Sequence, residues 1–280
     1  MAFRKFKTWI CAFAALFMTV GAFTQPVQAD DPSLVLNNIR SSGVLKFPVI
    51  IGEEPSYIKD PATGEWSGFY VEWGQEISAI LGVELEFVET TWGNLAADFQ
   101  ARKVDIAIGL NPNPQRGLVV DYTSIPLFYG PWTVVSKAGF DKKSWAELND
   151  PSVRLAVQKG STMQVVAEAL TPKADIIVVG TRSLGVLEIN SNRADAMLLA
   201  SFDAVQVAPE VKGEVFVPSP ALVNTAVIGV RREAGNAGWL NWLENWTSQQ
   251  RSLGLAQGKL AKSFEDAGLD LSVLPGDFSF

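Results

Sequence analysis

A regular alternation of short apolar segments with segments of helical periodicity constrains this fold most. Residues 69–81 carry apolar side chains along one side of a helix, and residues 95–102 predict another helix. Residues 104–110 are apolar on both faces, as expected of a parallel strand that is buried on both sides. This order predicts an α/β fold with mostly parallel sheets flanked by helices. Further strands are predicted at 44–51, 83–88, 133–136, 154–158, 175–179, 196–199 and 214–217.

Residues 1–29 have the pattern of a secretory signal peptide. Three basic residues lie between positions 4 and 7, and an apolar run follows at 9–20. This run is shorter than the roughly 20 residues that span a bilayer. Small residues at the end of Val27-Gln28-Ala29 suit a signal peptidase, so cleavage is expected after Ala29. The mature chain would have 251 residues and would be located in the periplasm.

Composition excludes several kinds of chemistry. The chain has no histidine, which excludes Ser-His-Asp and Cys-His nucleophiles and His-ligated zinc or haem sites. Its one cysteine, Cys11, lies in the predicted signal peptide, so the mature chain has no disulfide. Cleavage removes three basic residues and no acidic ones, which moves the net charge from −7 to −10. An acidic surface argues against nucleic acid and anionic membranes as partners. No catalytic residue, cofactor or metal site is predicted.

Two segments punctuated by Gly and Pro, 128–131 and 218–220, predict the places where the chain crosses between two lobes. Residues 30–130 plus 219–280 would form a discontinuous lobe 1, and residues 131–218 would form lobe 2. The mature length agrees, because 251 residues correspond to one large or two small domains at roughly 150 residues per domain.

Polar residues follow the strand that is predicted to end at position 110. Asn111 and Arg116 lie in the segment N-P-N-P-Q-R at 111–116, and ligands of open α/β sheets bind beyond the carboxyl ends of strands. The guanidinium of Arg116 offers a planar fork that suits a carboxylate. The alternative interpretation is a solvated surface arginine after a Pro-rich turn.

Three other strand ends carry candidate ligand-binding residues. Ser161 or Thr162 is a natural N-cap for the helix after strand 154–158, and a helix start with a free hydroxyl is a generic anion site. An ordinary helix cap is the alternative. Tyr57 and Trp92 follow two strands of lobe 1, so their rings would line a cleft and hold an apolar or cationic group.

In their order and spacing, the segments of this chain resemble the extracellular solute-binding proteins of family 3, the polar amino-acid receptors of bacterial ABC importers. Each segment alone is unspecific, and the series together covers nearly the whole mature chain. The segments are GVLKFPVIIG at 43–52, EPSY at 54–57, GEWSGF at 64–69, WGNLAADFQARKVDIAIGL at 92–110, NPNPQR at 111–116, VDYTSIPL at 120–127, VQKGST at 157–162, NRADA at 192–196, VIGVRR at 227–232 and WLNWL at 239–243.

The resemblance implies a type II periplasmic binding protein fold, in which two α/β lobes close over a ligand about a two-strand hinge. It implies that Arg116 binds the α-carboxylate of the ligand, that Thr162 assists from the other lobe and that Asn111 reaches the polar end of the ligand. The rings at Tyr57 and Trp92 would pack against the ligand side chain. In receptors for basic amino acids an acidic residue stands at the position of Glu54 and is followed by Pro-x-Tyr, which indicates a cationic or strongly donating ligand group.

One position departs from the family pattern. The family has an Asp that binds the α-ammonium five residues after the Asp of an Asp-Ala pair; the pair is at 195–196 here, and this chain has Ala200 instead. A buried ammonium without an anionic partner is costly. Ser201 and Asp203 lie close by in the sequence, and Asp203, Glu188 or a glutamate of lobe 1 is expected to substitute. Otherwise the ligand is a betaine-like or aromatic carboxylate that has no free α-ammonium.

These observations favour a periplasmic receptor of an ABC importer that captures an amino acid or amino-acid-like carboxylate between two closing lobes and catalyses nothing. Its expected partners are the small carboxylate and an ABC permease in the inner membrane, and a monomer is expected. Two alternatives remain open. Cyclohexadienyl dehydratases share the fold, but their second-lobe general acid is absent at Ala200. A receptor that presents its ligand to a signalling protein would have the same sequence features.

Overall fold

The computed structural model describes residues 31–268, so the predicted signal peptide and its cleavage site lie outside the described residues. None of the helices between residues 31 and 268 is long and apolar enough to cross a membrane. The helices are α1 (Leu34–Ser42), α2 (Phe69–Leu81), α3 (Leu95–Gln100), α4 (Trp145–Leu148), α5 (Thr162–Leu170), α6 (Arg182–Asn190), α7 (Ser201–Val211), α8 (Ala237–Ser252) and α9 (Leu255–Asp266), with a 3-10 turn at Arg116–Leu118. The strands are β1 (Val44–Ile50), β2 (Ile58–Lys59), β3 (Trp66–Ser67), β4 (Glu84–Thr90), β5 (Ile106–Leu110), β6 (Val120–Tyr122), β7 (Phe128–Ser136), β8 (Arg154–Gln158), β9 (Asp175–Val179), β10 (Ala196–Ala200), β11 (Glu214–Phe216) and β12 (Val223–Arg231).

Two long strands, β7 and β12, join two α/β lobes. The first part of β7 pairs antiparallel with the first part of β12, in a register that places Pro131 opposite Val223 and Phe128 opposite Ala226. The rest of β12 pairs with β5 and β6 in lobe 1, and the rest of β7 pairs with β10 and β11 in lobe 2. This arrangement is the two-lobe α/β fold with two crossing strands that the sequence predicts.

The parallel strand pairs of the fold do not include either crossing strand. In lobe 1, β1 pairs parallel with β4, and the backbone N–H of Asp105 donates to the carbonyl of Lys46 over 3.0 Å, which links β1 to the chain just before β5. In lobe 2, β8 pairs parallel with both β9 and β10. The sheets are therefore mixed, because β7 and β12 add antiparallel neighbours to the predicted parallel strands.

Each lobe has its own apolar core. In lobe 1, Phe47 of β1 and Trp73 of α2 are fully buried, and Trp73 packs edge-on against Trp246 of α8 at a centroid distance of 6.3 Å. In lobe 2, Leu155 of β8 and Leu198 of β10 are buried under α5 and the adjacent loops. Burial of a large apolar side chain contributes about 1.5–3 kcal/mol, so these cores hold the strand ends that carry the polar residues described below.

Ser219, in the second predicted crossing segment, is bonded to the chain around the start of α4. The backbone N–H of Ser219 donates to the carbonyl of Lys143 over 2.9 Å, and the N–H of Trp145 donates to the carbonyl of Ser219 over 3.1 Å. These bonds hold Ser219 to the start of α4 in lobe 2. The paired crossing begins only at Val223, which is opposite Pro131.

Candidate functional site

A cavity of about 50 Å³ lies between the lobes, where several strand ends and helix starts meet. Trp92 follows β4 and Asn111 follows β5 on the lobe 1 side, whereas Thr162 begins α5 and Asp203 lies in the first turn of α7 on the lobe 2 side. One water molecule needs roughly 10–15 Å³, so the cavity has room for a few water molecules. The two lobes are thus closed on each other around a small space that both charged and aromatic side chains line.

Hydrogen bonds between the lobes hold this closed arrangement. The hydroxyl of Thr162 donates to the carbonyl of Asn111 over 3.2 Å, and Nη2 of Arg116 donates to the carbonyl of Gly160 over 3.1 Å. Gly160 has a φ of +71°, and a Cβ at this position would lie 2.4 Å from Cα of Gly93. Closure therefore depends on the absence of a side chain at Gly160, because the backbone of the loop after β4 passes directly against it.

Arg116 provides a buried cation at one end of the cavity. Arg116 is 7% exposed. Its backbone N–H donates to the side-chain oxygen of Asn113 over 2.8 Å, which fixes the start of the 3-10 turn at Arg116–Leu118. The guanidinium donates to the carbonyls of Gly160 and, at 3.5 Å, Asn111. No carboxylate among residues 31–268 lies within 4 Å of it, and burial lowers its pKa. A buried charge without a counter-ion is costly, so this guanidinium is suited to bind an anion.

The start of α5 adds hydrogen-bond donors beside this cation. Ser161 is the N-cap, and its hydroxyl accepts from the N–H of Gln164 over 3.3 Å and donates to the carbonyl of Gln158 over 2.7 Å. Thr162 and Met163 form the first turn and line the cavity. The first N–H groups of a helix have no partner within the helix and carry partial positive charge. Together with Arg116 they form one positive wall of the cavity.

A buried ionic cluster forms the opposite, acidic end of the cavity. Arg182 is 3% exposed, and its Nη2 lies 2.7 Å from Oδ1 of Asp203 and also contacts the carboxylate of Glu53. Gln158 donates to Oε1 of Glu53 over 2.8 Å. Arg182 is the first residue of α6, where the helix dipole disfavours a cation, so the two carboxylates compensate both its burial and its position. Glu53 belongs to lobe 1, and the cluster therefore joins the two lobes.

The two carboxylates of this cluster resist ionisation more than exposed ones do. Burial raises the pKa of Glu53 and the pKa of Asp203, and the nearby positive charge of Arg182 only partly opposes this rise. Both side chains line the cavity, whereas Arg182 lies directly behind them. The cavity thus has a cationic end at Arg116 and an acidic end at Glu53 and Asp203, an arrangement that suits a ligand with one negative and one positive group.

Residues 49–254 match the family model for bacterial extracellular solute-binding proteins, family 3. The chain belongs to this family. Cyclohexadienyl dehydratase from Pseudomonas aeruginosa is 27% identical over 204 residues, which cover 72% of this chain and 74% of the enzyme. A probable amino-acid ABC transporter-binding protein from Haemophilus influenzae is 28% identical over 155 residues, which cover 54% of this chain and 58% of that protein.

Two solved structures of one ancestral protein are also similar. One is described as an ancestral amino acid-binding protein and a precursor of cyclohexadienyl dehydratase; it is 29% identical, with a TM-score of 0.70 and coverage of 82% of this chain and 98% of that one. The other is described as an ancestral cationic amino acid solute binding protein; it is 30% identical, with a TM-score of 0.63 and coverage of 82% and 99%. The two-lobe periplasmic binding protein fold that the sequence predicts is therefore confirmed, and solute binding by amino-acid receptors is the prevailing role in this family.

The structure brings most of the residues predicted from the family pattern to one cavity. Their contact with a ligand stays a prediction. Ala200, at the position of the missing family Asp, also lines the cavity, and Asp203 follows it by one helical turn in α7. The predicted residues that line the cavity are Trp92, Asn111, Arg116, Ser161, Thr162 and Asp203.

Three predicted residues lie just outside the cavity wall. Tyr57 is 1% exposed and packs in the core of lobe 1, with its ring centroid 5.4 Å from that of Tyr70, which lines the cavity in its place. Ser201 is fully buried and donates to the carbonyl of Pro131 over 2.6 Å. Glu54 accepts from Arg182 with its backbone carbonyl over 3.0 Å, and its side chain is directed away from the cavity towards lobe 2.

Sequence reasoning missed Glu53, Gln158 and Arg182. Glu53 is the neighbour of the predicted Glu54, and the adjacent pair left open which carboxylate would enter the cavity. Arg182 lies three residues after the end of the predicted strand 175–179, which is a ligand-binding position in this fold class. Gln158 is the last residue of a predicted strand, at the same kind of position.

Proposed function

We propose that this chain is the periplasmic receptor of an ABC importer and that it captures an amino acid between its lobes. The observation that carries the proposal is the buried guanidinium of Arg116, which has carbonyl acceptors but no carboxylate within 4 Å in residues 31–268. An α-carboxylate would supply the missing counter-ion and would also accept from the start of α5 at Thr162. The Haemophilus influenzae relative, a probable amino-acid ABC transporter-binding protein, supports the same role.

Asp203 is the proposed partner of the α-ammonium. It lines the cavity one turn after Ala200, and only its Oδ1 is engaged in the ion pair with Arg182. Glu53 adds a second carboxylate to the same end. These two carboxylates favour an amino acid over a betaine-like or aromatic carboxylate, because an α-ammonium can donate hydrogen bonds to them and a quaternary ammonium or a ring cannot. The rings of Tyr70, Trp92, Phe128 and Phe202 also line the cavity and would pack against the ligand side chain.

The runner-up is an enzyme, and the similarity to cyclohexadienyl dehydratase from Pseudomonas aeruginosa is the observation that favours it. A dehydratase needs a general acid beside the leaving group. The position that the family would use for an acidic residue holds Ala200, and Asp203 is ion-paired with Arg182. We therefore expect purified protein to leave prephenate and arogenate unchanged. Formation of phenylpyruvate or phenylalanine above a boiled-protein control would reverse the ranking.

The location and organisation of the protein belong to the same proposal. Export to the periplasm with cleavage after Ala29 predicts Asp30 as the first residue of the mature chain, which N-terminal sequencing of the exported protein would show. We propose that lobe 1 comprises residues 30–130 and 219–280 and that lobe 2 comprises residues 131–218. A monomer is expected in size-exclusion chromatography.

A thermal-shift screen of refolded, ligand-free protein tests the function. The screen contains the standard amino acids, small carboxylates without an amine, and betaines. A ligand at about 100 times its Kd adds roughly 2.7 kcal/mol, which is expected to raise Tm by about 5–10 °C for a chain of this size. A rise with one or more amino acids and none with betaines is the expected result. If no amino acid raises Tm, the protein is not an amino-acid receptor.

A further inference from the structure

We propose that Arg182 makes this receptor select amino acids without net charge, because its guanidinium already pairs with both carboxylates at the acidic end of the cavity. This inference rests on the proposed amino-acid binding and specifies the ligand class. Arg182 contacts the carboxylates of both Glu53 and Asp203, and its Nη1 donates to the carbonyl of Glu54 over 3.0 Å. It is 3% exposed and lies behind the two carboxylates, so it is a buried partner of the cavity wall and not a surface group.

A count of the charges around the cavity gives the first reason. Within residues 31–268, the ionisable groups that line it with formal charge are Glu53, Asp203 and Arg116. Arg182 lies behind the two carboxylates and is bonded to both. The carboxylate of Glu54 also acts electrostatically on Arg182, but it does not line the cavity and accepts a hydrogen bond from Gln206. Among Arg182 and the charged groups that line the cavity, two cations and two anions therefore balance. A zwitterionic amino acid of zero net charge preserves this balance on closure, whereas a cationic ligand leaves one positive charge uncompensated in a buried space.

Occupation of the acidic end gives the second reason. Oε1 of Glu53 accepts from Gln158 over 2.8 Å, while its other oxygen contacts Arg182. The carboxylate of Asp203 accepts from Arg182 and from the backbone N–H of Ala200, so its remaining acceptor capacity suits a single ligand ammonium. A ligand with a cationic side chain would need a second acceptor site and would bring its charge close to the Arg182 guanidinium. Like charges held close together in a buried site repel each other and disfavour binding.

Substitution of Arg182 tests this charge balance directly. Arg182→Met leaves two carboxylates against one cation and should favour a cationic ligand. Arg182→Lys keeps the charge and should keep the preference for neutral ligands. In the double variant Glu53→Gln with Arg182→Met, one carboxylate faces one cation, and the balance is restored. Glu53→Gln alone leaves an excess positive charge and should favour an acidic ligand. Circular dichroism and thermal unfolding verify that each variant is folded.

The probes are pairs of similar shape and different charge, measured by titration calorimetry on ligand-free protein. L-norvaline is compared with L-2,4-diaminobutyrate, L-citrulline with L-arginine, and L-glutamine with L-glutamate. For the pair of probes that binds most tightly, we expect wild type, Arg182→Lys and the double variant to bind the neutral member at least 10-fold more tightly than the charged member. We expect Arg182→Met to bind the cationic member better, and Glu53→Gln to gain affinity for L-glutamate relative to L-glutamine.

Two outcomes overturn the inference alone. One is tighter binding of L-arginine or L-2,4-diaminobutyrate than of its neutral counterpart by wild type. The other is an unchanged order of affinities in folded Arg182→Met or, if that variant does not fold, in Glu53→Gln. If neither these probes nor any standard amino acid binds wild type, the proposed amino-acid function fails and this inference fails with it.

Discussion

Nη2 of Arg116 donates to the carbonyl oxygen of Gly160 over 3.1 Å, which connects the chain after β5 in lobe 1 to the start of α5 in lobe 2. The residue proposed to bind the carboxylate is thus also a contact between the lobes. A ligand carboxylate at this position would bind the closed form better than the open form. Such a difference in affinity is what shifts a two-state equilibrium towards closure.

Replacement of Arg116 should lower the affinity for the ligand and raise the stability of the ligand-free protein. Arg116→Met removes the proposed partner of the carboxylate and is expected to weaken binding by about 2–5 kcal/mol, roughly 30-fold to several-thousand-fold. The same change removes a buried charge without a counter-ion, so Tm of the ligand-free protein should rise, by roughly 2–4 °C for each kcal/mol gained. Titration calorimetry and thermal unfolding measure the two effects.

Arg193→Met is the matched control for this experiment. Arg193 is an exposed arginine of lobe 2 that is paired with Glu188 over 2.7 Å, far from the cavity wall. It should change neither the affinity nor Tm appreciably, because exposed ion pairs contribute about 0–1 kcal/mol. Retained affinity in Arg116→Met would show that the carboxylate is bound elsewhere.

Gly160→Ala should prevent full closure of the lobes. A Cβ at Gly160 would lie 2.4 Å from Cα of Gly93, so the two backbones would have to separate. Gly139→Ala is the control, because Gly139 has a similar φ of +76° but no atom within 4 Å of the added Cβ. Both variants carry backbone strain of about 1–2 kcal/mol. Only Gly160→Ala should lose ligand affinity and keep a larger radius of gyration in small-angle scattering with ligand. Equal behaviour of the two variants would contradict closure at this contact.

The alternation of apolar and helical segments was sufficient to predict much of the fold. Helix α2 has the predicted bounds, 69–81, and strands β8 and β9 coincide with the predicted runs at 154–158 and 175–179. The sequence does not predict strand β12. Its first residues include the polar Asn224 and Thr225, and the apolar run that follows fits a buried helix segment as well as a strand. Its role depends on antiparallel pairing with β7 and β5, which are distant in the sequence.

Site residues that follow a predicted strand could be predicted from the sequence. A contact between two residues that are distant in the sequence could not. Arg116 and Asp203 are examples of the first kind, and both line the cavity. The contact between Glu53 and Arg182 joins positions 129 residues apart, and no local pattern indicates it. Tyr57 follows a strand as predicted, but its ring turns into the core of lobe 1, since apolar neighbours at Tyr70 and elsewhere surround it.

The stability of lobe 2 should depend on the ionisation of Asp195 at acid pH. Burial alone would raise the pKa of Asp195, but hydrogen bonds from Arg154 and Lys137 outweigh it and hold the pKa well below the ordinary value of 3.8. A carboxylate with a lowered pKa stabilises the fold above the pKa of the unfolded chain, about 3.9, and this contribution is lost as the pH falls further. Wild type should therefore lose more unfolding free energy than Asp195→Asn between pH 5 and pH 2.5 in denaturant titrations. Parallel curves for the two proteins would refute this assignment.

Ligand affinity should fall on acidification because of the acidic end of the cavity. Burial raises the pKa of Asp203, so its carboxylate takes up a proton at a higher pH than an exposed Asp with a pKa of about 3.9. A protonated Asp203 cannot balance the ligand ammonium. Calorimetry from pH 8 to pH 4.5 should show a decline towards acid pH, and Asp203→Asn should bind weakly at pH 7 with a flatter profile. No histidine is present to add a step near pH 6.5. Constant affinity of wild type down to pH 4.5 would exclude this role of Asp203.

Titration calorimetry of ligand-free protein with its tightest amino acid, and then with the methyl ester of that amino acid, tests the central claim most directly. The ester keeps the ammonium and the side chain but has no carboxylate for Arg116. We predict one binding site per chain for the amino acid and a loss of affinity of at least about 100-fold for the ester, which corresponds to roughly 2.7 kcal/mol. Failure of every amino acid to bind, or equal affinity for the ester, would contradict an amino-acid receptor anchored at Arg116.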